Sequence, residues 1–149
     1  MKDAPAAQFV EAQAALDQLQ RSAQFMADRI ASTLKPFGLT LPQYELLRIL
    51  GAPGTDAASC AEIGVRMPTK DSDITRLLTR LEARGLLSRI PDAEDRRVVK
   101  SKLTPQGASL LEQAESVVRG LLEEQFRGLS GKKLRRLTSL LQRVREEES

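Results

Sequence analysis

The sequence predicts a mainly α-helical protein with one small β-hairpin. Three observations in the 149-residue chain support this fold class. Apolar residues recur every three or four positions in the first third, and the same rhythm returns twice in the last third, as in amphipathic helices. Between these parts, shorter segments begin and end at cap residues, prolines and glycines, and two short runs with alternating polarity flank a charged loop.

Both ends of the chain are predicted to form long helices. In the first third, the residues that share one stripe are Phe9, Ala12, Leu16, Leu19, Ala23, Met26 and Ile30. The corresponding stripes near the C-terminus are Leu110, Ala114, Val117 and Leu121, followed by Leu134, Leu137, Leu141 and Val144. Such stripes can pack within one chain or against a second copy. Because they are rich in leucine and lie at both ends of the chain, we expect a homodimer.

The middle of the chain is predicted to form shorter helices with well-marked starts. Thr40 stands before a helix that carries Pro42 in its first turn, where proline is tolerated because its missing N–H would be unpaired anyway. Ser59 and Glu62 have the S-x-x-E spacing in which the hydroxyl and the carboxylate each accept from a backbone N–H at the helix start. These signals predict two successive short helices.

A third short helix is predicted over residues 70–84. Thr69 is its expected cap, and Asp71 and Asp73 would lie in the first turn, where the positive end of the helix dipole favours carboxylates. Gly85 stands where a left-handed residue would end the helix. Its apolar face is formed by Ile74, Leu77, Leu78 and Leu81. The side chains expected on the opposite face are Ser72, Asp73, Thr75, Arg76, Thr79 and Arg80.

A β-hairpin is predicted directly after this helix. Its strands are residues 86–90 and 98–103, and its polar loop is residues 91–97. Two short helices followed by such a hairpin form the winged helix-turn-helix pattern, in which the second helix enters the major groove of DNA. The sequence therefore predicts a winged helix-turn-helix lobe between N- and C-terminal dimerisation helices.

The predicted DNA-binding residues lie on the helix and at the tip of the hairpin. Arg76 is the best candidate for a bidentate contact to guanine or phosphate, and Arg80 for a backbone phosphate. Shorter polar side chains would make closer contacts, and these are Ser72, Asp73, Thr75 and Thr79. Arg96 and Arg97 project from the loop toward a minor groove. We expect the Asp95 carboxylate to pair with Arg97 and to orient it.

The charge distribution supports a polyanionic partner. The chain has a net charge of +3, and residues 70–102 hold nine Lys/Arg against six Asp/Glu. A basic segment of this kind is the usual electrostatic footprint of a nucleic-acid-binding protein. The alternative is a winged-helix protein-interaction module, which would expose apolar side chains on residues 70–84 and carry a short uncharged wing. The charged face and wing favour double-stranded DNA.

The motifs resemble the MarR family of bacterial transcriptional regulators. The matching segments are residues 73–89 (DITRLLTRLEARGLLSR), residues 95–97 (DRR) and residues 103–107 (LTPQG). The resemblance extends over about residues 40–115. Asp71 and Asp73 depart from the Ser/Arg that is commoner at the helix start in this family.

The resemblance implies a homodimer that places two lobes on a pseudo-palindromic operator, usually as a repressor released by a small aromatic or phenolic effector. Its helix contacts would fall on Ser72, Asp73, Thr75, Arg76 and Arg80, and its wing motif on Asp95 and Arg97. We expect one MarR-type domain over residues 1–149, with dimerisation helices at about 1–36 and 104–149 and the DNA-binding lobe at about 40–103. Tyr44 is a weak candidate for lining an effector crevice, although a core or dimer-contact role is favoured for it.

Several function classes are excluded or disfavoured. With no histidine and the single cysteine Cys60, the chain cannot build a zinc cluster or a disulfide framework, and nucleophile–histidine catalysis is absent. We therefore expect no enzyme, no metal and no cofactor. Cys60 is expected to be a small buried residue rather than an oxidant sensor. No signal peptide or membrane span is evident, so a cytoplasmic protein without membrane contact is the expectation.

Overall fold

The computed structural model describes residues 4–68 and 73–146. It confirms the predicted fold class of a mainly helical protein with a small β wing. The helices are α1 (Ala4–Leu34), α2 (Leu41–Leu50), α3 (Cys60–Arg66), α4 (Ile74–Ala83), α5 (Pro105–Gln125) and α6 (Gly131–Glu146). A 3-10 turn (Lys35–Phe37) links α1 to α2. The strands are β1 (Ala58–Ser59), β2 (Leu87–Pro91) and β3 (Val99–Leu103).

The predicted helix starts are confirmed where side chains cap the backbone. Thr40 Oγ1 accepts from Gln43 N–H, and the Gln43 side chain accepts from Thr40 N–H, so the start of α2 is a complete capping box. Ser59 and Glu62 form a second one at α3, where the Ser59 N–H donates to Glu62 Oε2 at 2.7 Å. These hydrogen bonds lower the pKa of Glu62 because they stabilise its charged form.

The start of α4 differs from the prediction. The helix begins at Ile74, and Asp73 is its N-cap rather than a residue of its first turn. Asp73 Oδ1 accepts from the Arg76 N–H at 3.0 Å, which satisfies a backbone donor that the first turn leaves unpaired. The predicted cap Thr69 and the predicted first-turn residue Asp71 lie outside the described residues.

The wing is a three-stranded antiparallel sheet in the order β1-β3-β2. The predicted hairpin is β2 and β3, with Arg89 opposite Ser101 near its middle. The sequence did not predict β1, because two residues are too few to show a pattern. β1 pairs Ala58 with Ser101 and Ser59 with Lys100, so the residue that caps α3 also belongs to the sheet. The start of α3 and the wing are therefore joined by backbone hydrogen bonds.

The core lies where the end of α1, the middle of α5 and all elements of the lobe meet. Its largest fully buried side chains are Leu34, Leu46, Leu47, Ile63, Leu81 and Leu87. Gly107 permits the close approach of α5, since a Cβ there would collide with the backbone carbonyl of Leu86. Gly85 has a φ of +74° and ends α4 as predicted. This core holds the outward surfaces of α4 and the wing in place.

No helix within residues 4–68 and 73–146 is both long and apolar enough to cross a membrane.

Candidate nucleic-acid interface

The outward face of α4 carries two arginines one turn apart. Leu78 and Leu81 are buried on the opposite side, so the orientation of the helix is set by the core. Arg76 and Arg80 are exposed. Within the described part of the chain, their guanidinium groups have no hydrogen bond or ion pair. An unpaired guanidinium keeps all its donors for an external acceptor such as a phosphate or a guanine.

The flank of α4 beside the wing is formed by Thr75, Thr79 and Glu82. Thr79 Oγ1 donates to the Thr75 carbonyl oxygen at 2.9 Å and accepts from Arg89 Nη2 at 2.8 Å. Because a hydroxyl has one proton to donate, Thr79 has no donor left for a base in this arrangement. The base contacts expected from Thr75 and Thr79 stay predictions. Ser72, predicted on the same surface, lies outside the described residues.

Cys60 lies near this flank and corrects one prediction. We expected a small buried residue, but Cys60 is exposed. Its Sγ lies 3.9 Å from Thr75 Oγ1, so the first turn of α3 is in contact with the first turn of α4. Ile63 provides the buried, apolar side of α3. Cys60, in the capping turn that Ser59 and Glu62 form, lies at the surface.

The loop of the wing is closed by its own backbone and by Asp92. The Asp92 N–H donates to the Val98 carbonyl at 2.8 Å, and the Val98 N–H donates to the Asp95 carbonyl at 2.9 Å. Asp92 also accepts from the Asp95 N–H at 3.2 Å and lies 3.4 Å from Lys100 Nζ. The Asp95 N–H, and then Lys100, lower the pKa of Asp92 because they stabilise its carboxylate. The loop is therefore closed by hydrogen bonds and an ion pair among its own residues and Lys100.

Asp95 and Arg97 form the pair that the sequence suggested. Asp95 Oδ1 accepts from both the N–H and the Nε of Arg97 at 3.1 Å, and Oδ2 accepts from Nη2 at 3.4 Å. These contacts lower the pKa of Asp95, so its carboxylate stays charged. The Arg97 side chain is 91% exposed, and Arg96 is also exposed. Two guanidinium groups thus project from the tip of the wing, one of them held by a carboxylate.

Two further arginines, which the sequence analysis did not single out, hold α4 against its neighbours. Arg84 Nη1 donates to the Gly38 carbonyl at 2.7 Å, and its Nη2 donates to the Phe37 carbonyl at 3.1 Å. Arg89 reaches from β2 to Thr79. The partners of Arg84 lie more than forty positions away. No local pattern could have identified them, although the matched segment of residues 73–89 contains both arginines.

A cleft of about 370 Å³ lies behind the lobe, between α1, α2 and α5. The residues around it are Ile30, Leu41, Tyr44, Glu45, Arg48, Glu115, Val118, Arg119, Leu122 and Glu123. Tyr44 is 5% exposed and belongs to the core, as favoured from the sequence, but it also lines this cleft. Burial raises the pKa of its hydroxyl. The Arg48 guanidinium carbon lies 5.8 Å from the centre of the Tyr44 ring.

Sequence comparisons identify transcriptional repressors as relatives. Residues 39–99 match the MarR family. The chain is 32% identical over 111 residues to the HTH-type transcriptional repressor IacR of Pseudomonas putida, covering 74% of this chain and 65% of IacR. The aligned segment therefore spans just under two thirds of that relative. The HTH-type transcriptional repressor Rv2887 of Mycobacterium tuberculosis is 31% identical over 102 residues, which cover 68% of this chain and 71% of Rv2887.

A solved structure agrees with this relationship. The chain is similar to BpsR of Bordetella bronchiseptica, whose DNA binding is regulated by 6-hydroxynicotinic acid. The TM-score is 0.76 at 26% identity, and the superposition covers 87% of this chain and 91% of BpsR. The winged lobe, the charged wing and the sequence relationship lead to one assignment: the chain belongs to the MarR family of transcriptional regulators.

Proposed function

We propose that this protein binds double-stranded DNA as a homodimer, represses transcription in the cytoplasm and is released by a small aromatic acid. The observation that carries the proposal is that the guanidinium groups of Arg76 and Arg80, exposed on the outward face of α4, have no hydrogen bond or ion pair within the residues that the structure describes. A major groove is about 12 Å wide and admits one helix, so arginines on its free face can reach guanines and phosphates. The repressors IacR and Rv2887 support regulation of transcription as the purpose of that contact.

The wing supplies the second contact. Arg96 and Arg97 project from a loop that is ordered by its own hydrogen bonds, and the potential in a narrow minor groove attracts guanidinium groups. Asp95 stays charged beside Arg97, which reduces the net charge of the tip but fixes the direction of one guanidinium. We therefore assign α4, with Arg76 and Arg80, to the major groove, and the wing, with Arg96 and Arg97, to the adjacent minor groove.

Dimerisation is supported by apolar surface on α1 and α6. Phe9 is 68% exposed, Phe25 is 49% exposed and Val144 is 71% exposed. Val144 also lines a groove of about 560 Å³ between α1 and α6, whose lining side chains are almost all apolar. Contiguous apolar surface of this kind marks an interaction site, because its exposure to water is unfavourable. We propose about residues 1–36 and 104–149 as the dimerisation segments and about 40–103 as the DNA-binding lobe.

The cleft beside Tyr44 is the proposed effector site. Arg48 and Arg119 line it, and both can pair with a carboxylate, while the Tyr44 ring can contact an aromatic ring. The acidic residues Glu45 and Glu115 also line it, so the cleft suits one anionic group with polar substituents rather than a polyanion. BpsR, which responds to 6-hydroxynicotinic acid, supports this chemical class.

DNA binding is tested by selecting duplexes from a random pool and then measuring affinity by gel shift. A dimer that contacts roughly 6–10 phosphates should lose about 10³–10⁵ in affinity between 50 and 200 mM salt. The selected sequences should be pseudo-palindromic, with half-sites about one helical turn apart. A protein that selects no duplex, and that binds none at low salt, would support the alternative of a protein-interaction module.

Effector binding is tested by adding 6-hydroxynicotinic acid to the complex with the selected duplex. We expect release of the duplex, and a weaker response in the Arg48→Met variant, which keeps the aliphatic stem but loses the charge. The amide analogue of the same compound is the control, because it lacks the carboxylate. Equal release by the acid and by the amide would contradict recognition through the arginines.

A further inference from the structure

A contact between α4 and the wing joins the two halves of the proposed DNA-binding surface. Arg89 lies in β2, opposite Ser101 in the hairpin. Its Nη2 donates to Thr79 Oγ1 at 2.8 Å, and its Nε lies 3.2 Å from Glu82 Oε2. Thr79 and Glu82 are one helical turn apart, so a single guanidinium spans one turn of α4. We call Arg89, Thr79 and Glu82 the strap.

The strap is partly shielded from water. The side chain of Arg89 is 30% exposed and that of Glu82 is 42% exposed. The Nε atom of Arg89 is buried and close to the Glu82 carboxylate, but the two are not aligned for a hydrogen bond. The attraction between them is therefore mainly that of two opposite charges, while the directional hydrogen bond goes to Thr79. This arrangement keeps the guanidinium on the flank of α4.

The backbone of Arg89 is held in place as well as its guanidinium group. Ser101, opposite Arg89 in the hairpin, is 3% exposed and also pairs with Ala58 of β1, so the middle of the hairpin is held on both sides. The backbone of Arg89 is held in the hairpin and its guanidinium group contacts α4. Arg89 therefore restricts how the wing can turn relative to the helix. Arg76 and Arg80 lie on the helix, and Arg96 and Arg97 lie on the wing.

We propose that Arg89 is a positioning residue that fixes the angle between α4 and the wing, with Thr79 as its acceptor rather than a reader of bases. The inference rests on the proposed function, since it concerns how two sets of arginines engage one duplex. Contacts that are held in their bound arrangement beforehand need not be ordered during binding, which increases affinity for the duplex that fits both sets. Glu82 offsets the charge of Arg89 and keeps it from serving as a phosphate contact.

Three variants test the proposal by gel shift on the selected duplex and on a scrambled duplex of the same composition. Arg89→Met removes the guanidinium but keeps the stem, and Thr79→Val removes only the hydroxyl. Lys102→Met is the matched control, because it removes one positive charge from the opposite face of the same hairpin, where Lys102 is exposed. Thermal unfolding of each variant reports on stability separately.

We expect Arg89→Met and Thr79→Val each to lower affinity for the selected duplex about tenfold, the size of one hydrogen bond from a charged donor. Affinity for the scrambled duplex should change little, since non-specific binding does not need both sets of arginines at a fixed angle. The double variant should be no weaker than Arg89→Met alone, because both changes remove the same contact. Lys102→Met should leave the ratio between the two duplexes unchanged.

Two results would overturn the positioning role. If Arg89→Met weakens both duplexes equally and reduces the salt slope by about 1 while Thr79→Val has no effect, Arg89 is a phosphate contact. If both variants weaken both duplexes equally and lower the unfolding temperature, the strap serves stability alone. Should Arg89→Met fail to fold, Thr79→Val still decides between these outcomes. A wild-type protein that selects no duplex would instead refute the proposed function.

Discussion

The lobe and the C-terminal helix α6 of this molecule place their leucines in different surroundings. In the lobe, leucines from α2, α4 and β2 are fully buried, and Leu46, Leu47, Leu81 and Leu87 are between 0% and 2% exposed. In α6, Leu137 is 39% exposed, and no side chain of its described residues 131–146 is buried. The leucines of the lobe are therefore enclosed in a core that the end of α1 and the middle of α5 complete, whereas α6 presents a surface that a second chain can cover.

The largest expected effect comes from opening the core of the lobe. Leu81→Ala should lower the free energy of unfolding by about 2–5 kcal/mol, because it removes apolar atoms that folding buries away from water and leaves a cavity in their place. Leu140→Ala, on a residue that is 42% exposed, should cost far less at low protein concentration. Denaturant unfolding at two protein concentrations measures both. Equal losses at low concentration would show that α6 has a core of its own.

The next effect concerns association. Val144→Glu places a carboxylate on the apolar face of α6, and we expect it to weaken dimerisation by about a hundredfold, since a buried unpaired charge is costly. Sedimentation velocity should then show single chains with unchanged helical content. Ser139→Glu, on the opposite face of the same helix, is the matched control. If both variants remain dimeric, the dimer interface does not include this face of α6.

A smaller effect separates the two elements that we propose to contact DNA, α4 and the wing. Arg76→Ala should cost about 1–3 kcal/mol on the selected duplex and relax the preference for one base pair, provided that Arg76 contacts a base. Arg97→Ala should weaken binding to all duplexes alike and reduce the salt slope by about 1. A panel of duplexes with single base-pair changes measures both. Uniform losses for both variants would make Arg76 a phosphate contact.

The smallest effect concerns Asp95. Its pKa is lowered chiefly by the hydrogen bond from the Arg97 side chain, so the pair is intact above the ordinary carboxyl pKa and is lost only as the pH falls through the lower, folded value. The Arg97 Nε–H resonance should therefore be constant from neutral pH down to about pH 5 and move only in stronger acid. Asp95→Asn should weaken DNA binding slightly, and should add nothing in an Arg97→Ala background.

Local features of the fold were predictable because they depend on neighbours a few positions apart. The caps at Thr40 and Ser59 and the end of α4 at Gly85 rest on hydrogen bonds or backbone angles within a few residues, and the hairpin pairs two strands that follow each other directly in the sequence. The outward position of Arg76 and Arg80 follows from the helical period once the apolar face is known. The start of α4 was placed too early, because Asp73 and Thr69 are both acceptable cap residues.

The tertiary structure decided the features that join distant parts of the chain. Arg84 donates hydrogen bonds to the carbonyls of Phe37 and Gly38, and Arg89 donates one to Thr79. The two-residue strand β1 pairs with β3. Cys60 is exposed because the apolar side of α3 is supplied by Ile63. The sequence by itself thus determined the helices, the hairpin and the family of this protein, since periodicity and capping act over single turns. Which guanidinium groups have no partner among the described residues, and which hold the helix and the wing together, depended on packing between elements that no local pattern describes.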